Sequence, residues 1–390
     1  MTATRIADRN SHLRSLLVRL DKLARRPYRA IVEEMDAQHR PATANRARIS
    51  VIIPCFNYGH FLPSSVSSAL DQIDCEMEVI IVDDASTDAS LDVARQLSSQ
   101  FANVRVIANE HNQGHIATFN NGLAVATGDY VVRLDADDLL TPGCLTRAVD
   151  LFDTYPSVGL VYGRPHHFTS SEPPTPIGGP AKWTVWSGHD WIRERCRRGV
   201  NCITTPEAVI RGSVFRSIGP LSPKLRFAQD MEIWLRAAAI SDVGYISGPD
   251  QALHRDHAAS MSVTAGSGIL TDLVERRAVF DILFDGLGHR LVDAKAQHEL
   301  ANRTLACEAL RYVCHSYDRG RASSVDVQGL LNFALDTYPS VSKKRYWRSV
   351  RRRRMLGPQL ARVNPVFVAQ AGARRIDGEL AYARWLSTGT

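Results

Sequence analysis

The chain has 390 residues, 44% of them hydrophobic and 23% charged, with a formal net charge of +6. Those values exclude a small disulfide-stapled module and a disordered low-complexity chain, and leave room for one large globular domain with appendages or for two or three ordinary ones. The positive excess is local, because Val341 to Arg354, "VSKKRYWRSVRRRR", carries two Lys and six Arg and no acid; a nucleic-acid footprint over the whole surface is therefore not expected.

The first 48 residues read as a helical extension, with Leu13, Leu16, Leu17 and Leu20 at helical spacing ahead of Pro27. No apolar run reaches the roughly 18 residues that a spanning helix needs, and the start, "MTATRIADRNSHLRSLLVRL", has charges among its apolar positions and no small-residue cleavage site. The cysteines, Cys55, Cys75, Cys144, Cys196, Cys202, Cys307 and Cys314, are odd in number and show no C-x-x-C spacing. They read as free packing thiols in a reducing, cytoplasmic setting.

From Ile49 the chain alternates short β-branched runs with helical segments, the pattern of an α/β protein. "ISVIIP" precedes a helix near Phe61 to Gln72, and "EVIIVDD" precedes one near Ser90 to Gln100. "NVRVIAN" leads to a helix over His115 to Ala126, and "DYVVRLD" to one over Cys144 to Phe152. Such strands lie mostly parallel, and ligands gather at their carboxyl ends. Asn57, the pair Asp83 and Asp84, Asn109 with Asn112, and the cluster Asp135, Asp137 and Asp138 all fall at those ends. Asp-rich turns also cap helices, so a capping role stands beside a ligand role for each carboxylate. Ser170 to Pro180, "SSEPPTPIGGP", is a loop, and Trp183, Trp186 and Trp191 follow it in what reads as a surface excursion. Past about residue 262 only helical patterns remain, with Leu300, Leu305, Leu310 and Cys314 on one recurring face.

Neither G-x-G-x-x-G nor G-x-x-x-x-G-K-S/T is present, which excludes the usual dinucleotide and P-loop signatures. Five segments in order over about residues 49 to 262 resemble instead the family 2 glycosyltransferases of GT-A fold. They are "ISVIIPCFNYGHFLPSSVSSALDQ", "EVIIVDDASTD", "NEHNQGHIATFNNGLAVATGDY", "VVRLDADDLLTP" and "SPKLRFAQDMEIWLRAA". The resemblance implies a Rossmann-like, mostly parallel sheet between helices, in a catalytic domain over 49–262 with helical extensions at 1–48 and 263–390.

The same resemblance implies residue roles. Pro54, Phe56, Asn57, Asp83, Asp84, Asn112, Gly114, Asp135 and Asp137 would contact the nucleotide, with Asp84 reading the base; a carboxylate can accept the ring N–H of uracil or thymine. Asp137, Asp138 and His257, the last in "LHRDHAASMS", would hold a divalent cation, Mn²⁺ or Mg²⁺, that offsets charge on the diphosphate. Asp230 would be the general base, with the capping role of a first-turn carboxylate as the alternative. Gln229, Trp183 and Trp186 would face the acceptor. Phe119 stands where family members often carry Arg, which leaves one donor contact unassigned, and His111 and His115 read as solvated turn residues, with anion binding as the alternative. Trp234 and Arg236 read as packing and scaffold.

The expected reaction is transfer of a sugar with inversion from a nucleoside-diphosphate sugar, uridine or thymidine linked, to a hydroxyl of a glycan, a lipid-linked glycan or a small molecule. Two rivals stand beside it. A sugar-1-phosphate nucleotidyltransferase needs a Gly-rich basic loop after the first strand, and "PCFNYGHFL" has none; a non-catalytic binding or scaffold protein fits less well with an intact Asp230. No nucleic-acid partner is expected. The basic run 341–354, with Tyr346 and Trp347, reads either as a peripheral contact with an anionic membrane at its inner face or as a solvated or internally paired helix.

Overall fold

The protein was analysed as a computed structural model that describes residues 31–34, 46–257 and 268–390. Its sheet-forming part begins with strand β1 (Ile31–Glu34), β2 (Ala47–Cys55), helix α1 (Leu62–Leu70), β3 (Cys75–Asp83), α2 (Ser90–Gln100), β4 (Val104–Ala108), α3 (His115–Val125) and β5 (Tyr130–Arg133). It continues through β6 (Leu139–Leu140), α4 (Cys144–Thr154), β7 (Val158–Phe168), β8 (Lys182–Trp186), α5 (Gly188–Arg198), β9 (Ala208–Arg211), α6 (Gly212–Ile218), α7 (Gln229–Ile240) and β10 (Asp242–Arg255). Five longer helices follow: α8 (Ile269–Leu287), α9 (Ala294–Asp318), α10 (Val327–Thr337), α11 (Arg345–Val363) and α12 (Pro365–Thr388).

Ten strands form one sheet in the order β1-β8-β10-β7-β9-β5-β2-β3-β4, with β6 against β10. The strands β5, β2, β3 and β4 are parallel to one another, as the alternation of strand and helix requires. Beyond β5 the sheet is mixed, since β9 pairs antiparallel with β5 and β7, and β8 antiparallel with β10. Successive residues of β2 point to opposite faces. Ile49, Val51 and Ile53 pack with α1, α2 and α4, while Ile52 joins the opposite core that holds Phe119 of α3. Gly122 lets α3 lie close on β2, for a Cβ there would come within 2.5 Å of Ile52 Cγ2.

That second core is continuous with the C-terminal helices. Leu273, Leu305, Leu310, Cys314 and Val350 belong to the same buried cluster as Trp191, Trp234 and Leu235, so the helical region is packed onto the face of the sheet that α5 and α7 cover. The chain then closes on itself: Trp186 Nε1 donates to Thr388 O at 2.9 Å, Tyr245 Oη to Leu386 O at 3.2 Å and Trp385 Nε1 to Cys202 O at 3.0 Å, while Tyr162 Oη donates to Gly389 O.

Two expectations are corrected here, and a third is divided. Part of the N-terminal extension is strand: Ile31–Glu34 pairs antiparallel with Trp183 and its neighbours, because an open sheet edge offers that segment more hydrogen bonds than an isolated helical turn does. The helix expected around Leu13 to Leu20 lies outside the described residues. Trp183 and Trp186 do not face an acceptor; both are buried in β8, one in each core, and period-2 alternation sends them to opposite faces. The basic run, expected as a membrane contact or as a solvated or internally paired helix, is internally paired in part. Val341 and Val350 are buried and Tyr346 and Trp347 pack against the core, and Arg353 is buried against Asp318 with bonds of 2.7 and 3.0 Å.

Candidate functional site

At the end of β2 the chain turns at Asn57, whose φ of 59° lies in the left-handed region that Asn tolerates. Its Oδ1 accepts Thr87 N at 2.8 Å and its own N–H donates to Ser86 Oγ at 3.0 Å, which fastens this turn to the one after β3. Pro54 is the penultimate β2 position, paired with Val82, and the Phe56 ring beyond it is exposed.

Asp83 and Asp84 are both buried. Asp83 Oδ2 accepts Ser86 N at 3.0 Å, but Oδ1 has no hydrogen-bond partner among the described residues. Asp84 is engaged by the loop after β4: its oxygens accept Asn109 Nδ2 at 2.8 Å, Gln113 N at 2.8 Å and Gly114 N at 2.9 Å. Burial works against its charge, yet the donors of Gln113, Asn109, Thr118 and Gly114 outweigh burial and lower its pKa. Gly114, at φ 82°, is the residue that lets the loop turn into this carboxylate. Asn112 is exposed on the same loop.

After β5 the three aspartates have three environments. Asp135, partly exposed, accepts Arg133 Nε at 3.0 Å. Asp137 Oδ2 lies 2.8 Å from His257 Nε2, and burial first, then Asp135, raises the Asp137 pKa. Asp138 is wholly buried, with Oδ1 accepting Arg255 N at 2.9 Å and Oδ2 2.9 Å from His254 Nδ1. Burial disfavours charge on His254, but the bond and charge of Asp138 prevail and push its pKa up to about 9. Expectation and structure part here: the Asp138 carboxylate is occupied on both oxygens by β10 and holds that strand, whereas Asp137 and His257 face each other with donor atoms a cation could share. Arg255 supports them. Its Nε donates to Asp137 O at 3.2 Å, and its guanidinium sits 4.9 and 4.5 Å from the Phe61 and Phe168 ring centres. Beside this pair, His167, His254 and Asp256 bring ligand atoms within 4.8 Å of one another, a second place among the described residues where a cation could be held.

Asp230 lies in the first turn of α7, half-buried. Its Oδ2 accepts Asn201 Nδ2 at 2.9 Å and its Oδ1 accepts Met231 N at 2.7 Å. Burial pushes its pKa up to about 6, against the opposing pull of Met231 N and the Arg133 charge. A crevice lined by Phe119, Arg133, Thr205, Asp230 and Trp234 joins it to the end of β5. Gln229 is buried and bonds His115 at 2.9 Å, so it braces α7 against α3. His115 is accordingly no solvated turn residue; burial, then Arg133, lowers its pKa. Trp234 is core and Arg236 is tied to Pro220 O and Glu232, both as expected.

Residue-by-residue reading of the sequence passed over Arg133, Asn201 and Glu207. Arg133 had a signal, a lone charge inside the apolar run "YVVRLD", and its guanidinium stands 5.8 Å from the ring centre of Phe119, the position where an Arg was missed. Glu207 is buried, accepts Thr204 N at 2.5 Å and Thr205 N at 3.1 Å, and burial raises its pKa to about 7. It holds the turn at Thr205, whose φ is 135°. Asn201 had no signal, since its role depends on a loop meeting a helix 29 residues away.

A mixed sheet with parallel strands ending in carboxylates, and a base candidate brought in from a later helix, define a nucleotide-diphospho-sugar transferase fold of the GT-A type. Residues 50–216 match the family described as "Glycosyl transferase family 2". It is 43% identical over 115 residues to an uncharacterized glycosyltransferase of Nostoc sp., covering 30% of this chain and 36% of the relative. It is 37% identical over 92 residues to glycosyltransferase GlyG of Streptococcus pneumoniae, covering 24% and 31%. The chain thus spans about a third of the length of these curated relatives. Among solved structures, S. aureus TarS 1-349 in complex with UDP-GlcNAc superposes with a TM-score of 0.52 at 16% identity, covering 76% of this chain and 90% of that one, a likeness of fold.

Proposed function

We propose that this chain transfers a sugar, with inversion, from a nucleoside-diphosphate sugar to an acceptor hydroxyl, with Asp230 as the base. The observation that carries the reading is the Asp230 carboxylate itself, half-buried, oriented by Asn201 and sharing one crevice with Arg133 at the end of β5. Asp230 takes the hydroxyl proton, and the acceptor oxygen attacks the anomeric carbon as the diphosphate leaves from the opposite face. Arg133 lowers the Asp230 pKa by its charge and so keeps the base ionised nearer neutrality.

On the donor side, Phe56, Asn57, Asn112 and Gly114 surround the ends of the parallel strands. The unpartnered Oδ1 favours Asp83 as the acceptor of a base N–H, with Asp84 as the clamp of the Asn109–Gly114 loop. A uridine or thymidine donor offers that N–H, and the TarS structures contain UDP and UDP-GlcNAc. Asp137 and His257 suit a divalent cation, Mn²⁺ or Mg²⁺, as a mixed oxygen and imidazole donor set. Bound there, it would offset the charge on the departing diphosphate. The acceptor, a glycan, lipid-linked glycan or small molecule, would approach from the Asp230 side, and a cytoplasmic site of action accords with free thiols throughout.

Nucleotide release from a panel of sugar nucleotides, measured with and without hydroxyl acceptors and with chelator, tests the reading. Acceptor-dependent release from one donor, lost on chelation, is the expected result. Pyrophosphate-dependent formation of nucleoside triphosphate would point to a nucleotidyltransferase, and donor binding without turnover of any acceptor to a binding protein.

A further inference from the structure

The basic run has two faces once it is folded. Inward, Val350 and Arg353 are buried, and Arg353 is held by Asp318 with its guanidinium 3.7 Å from the Phe367 ring centre, which ties α11 to both α9 and α12. Outward, Arg348, Arg351, Arg352 and Met355 follow the i, i+3, i+4, i+7 spacing of a single helical stripe, and all are exposed. Arg354 and, past the break that follows, Arg362 are exposed as well, and none of these five arginines makes an ion pair among the described residues.

Beyond the stripe the helix breaks at Gly357, with φ 76°, ahead of Pro358, and a second turn at Asn364 starts α12. Large aliphatic side chains crowd this corner and stand in solvent: Met355 is 84% and Val363 70% exposed, and Leu356, Leu360, Val366 and Val368 are exposed as well. Six aliphatic side chains within fourteen residues make a patch of the kind that soluble surfaces rarely leave uncovered. No helix among the described residues is long and apolar enough to cross a membrane.

We propose that the α11–α12 corner is a peripheral docking surface for an anionic lipid bilayer, with the aliphatic corner entering the headgroup boundary and the arginine stripe resting on lipid phosphates. Three features select this occupant. The chain carries no acid from Val341 to Ile376, so a second copy of this stretch would set arginine against arginine. The apolar groups protrude and are aliphatic, without the aromatic anchors that protein interfaces concentrate. A bilayer accepts both chemistries at once, apolar area and phosphate charge, without a shaped pocket. Tyr346 and Trp347, packed on the core, take no part. The surface is separate from the transfer reading, and docking is measured without turnover.

The test is co-sedimentation of the full chain with phosphatidylcholine vesicles, with or without phosphatidylglycerol, at low and high salt. Binding is expected on the anionic vesicles, weakened by salt. Arg351→Glu with Arg352→Glu should lower partitioning by about 10-fold or more, given roughly 5-fold per basic residue near the surface. Met355→Ser with Val363→Ser should lower it at both salt concentrations. All four side chains are exposed, so melting temperatures should match wild type and confirm folded variants. Absence of binding at low salt, equal binding to neutral vesicles, or binding indifferent to both double variants would overturn the proposal. So would a concentration-dependent dimer in lipid-free buffer that Met355→Ser with Val363→Ser dissociates, since a second copy would then cover the face.

Discussion

The two sides of the candidate site are built differently. On the donor side the candidate groups other than His257, which follows β10, come after the parallel strands: Asn57 after β2, Asp83 and Asp84 at the end of β3, Gly114 in the loop after β4, Asp135 and Asp137 after β5. On the base side the groups come from loops and helices far apart in sequence. Asp230 of α7 is held by Asn201 of the loop before β9, and that loop is held in turn by Trp385 of the last helix through Cys202 O. The difference teaches that the proposed donor contacts can survive local change around each turn, whereas the proposed base is only as well placed as the C-terminal helices that buttress it.

The sharpest way to break the comparison is to remove the base. Asp230→Asn should lower turnover by roughly 10²–10⁴ while donor affinity stays near wild type, because the proton acceptor is lost and the donor turns are untouched. Steady-state kinetics and calorimetry with the sugar nucleotide check both halves. In the wild type, turnover should rise with pH through about 6, as Asp230 loses its proton. The same group is more protonated in the folded than in the unfolded chain, so ionising it costs stability and Asp230→Asn should not lower the melting temperature at neutral pH.

The next contrast separates two adjacent aspartates. Asp138→Asn deprives the partly buried His254 of its nearest counter-ion and removes a buried carboxylate that also accepts Arg255 N, and should destabilise the fold by about 3 kcal/mol. Asp137→Asn, at a more open position, should change stability little and abolish the response of nucleotide binding to Mn²⁺. Thermal melts with and without cation and nucleotide distinguish them. The Asp138–His254 pair also has a pH signature. Because the His254 pKa is raised from 6.5 to about 9, its stabilisation is complete below pH 6.5 and is lost as pH rises through about 9. Melting temperatures measured across that range should fall in the wild type and fall less in His254→Gln.

A smaller effect is expected at the buttress. Trp385→Phe deletes the donor to Cys202 O, costing about 1 kcal/mol, and should lower turnover without changing donor affinity because Asn201 is the neighbour of that carbonyl. Equal loss on both sides would mean that the two halves of the site are one cooperative unit. The smallest change concerns Trp183→Phe: with Trp183 in the core, acceptor KM should match wild type even where the melting temperature drops.

How far the site could be read in advance follows the same division. Turn residues that follow a strand act through their neighbours in sequence, so Asn57, Asp84 and Gly114 reach their partners through short motifs, and the aspartate cluster after β5 announces itself by charge. Within that cluster the individual roles were not legible. Whether Asp137 or Asp138 faces outward depends on β10 running past β6, which brings Arg255 N and His254 to Asp138 across more than 110 residues.

The sequence by itself determined the α/β class, the parallel strands from Ala47 to Arg133, the helical C-terminal region and the family match over residues 50–216, because period-2 and period-3.6 patterns and turn chemistry are local properties of the chain. Only the tertiary structure decided that Ile31–Glu34 is a strand, that Trp183 and Trp186 are core, that Arg133 and Asn201 serve Asp230, and that the arginine run has one buried and one open face. Each of those depends on what a distant segment places alongside, a sheet edge, a packed helix or an ion-pair partner, and sequence spacing carries no record of it.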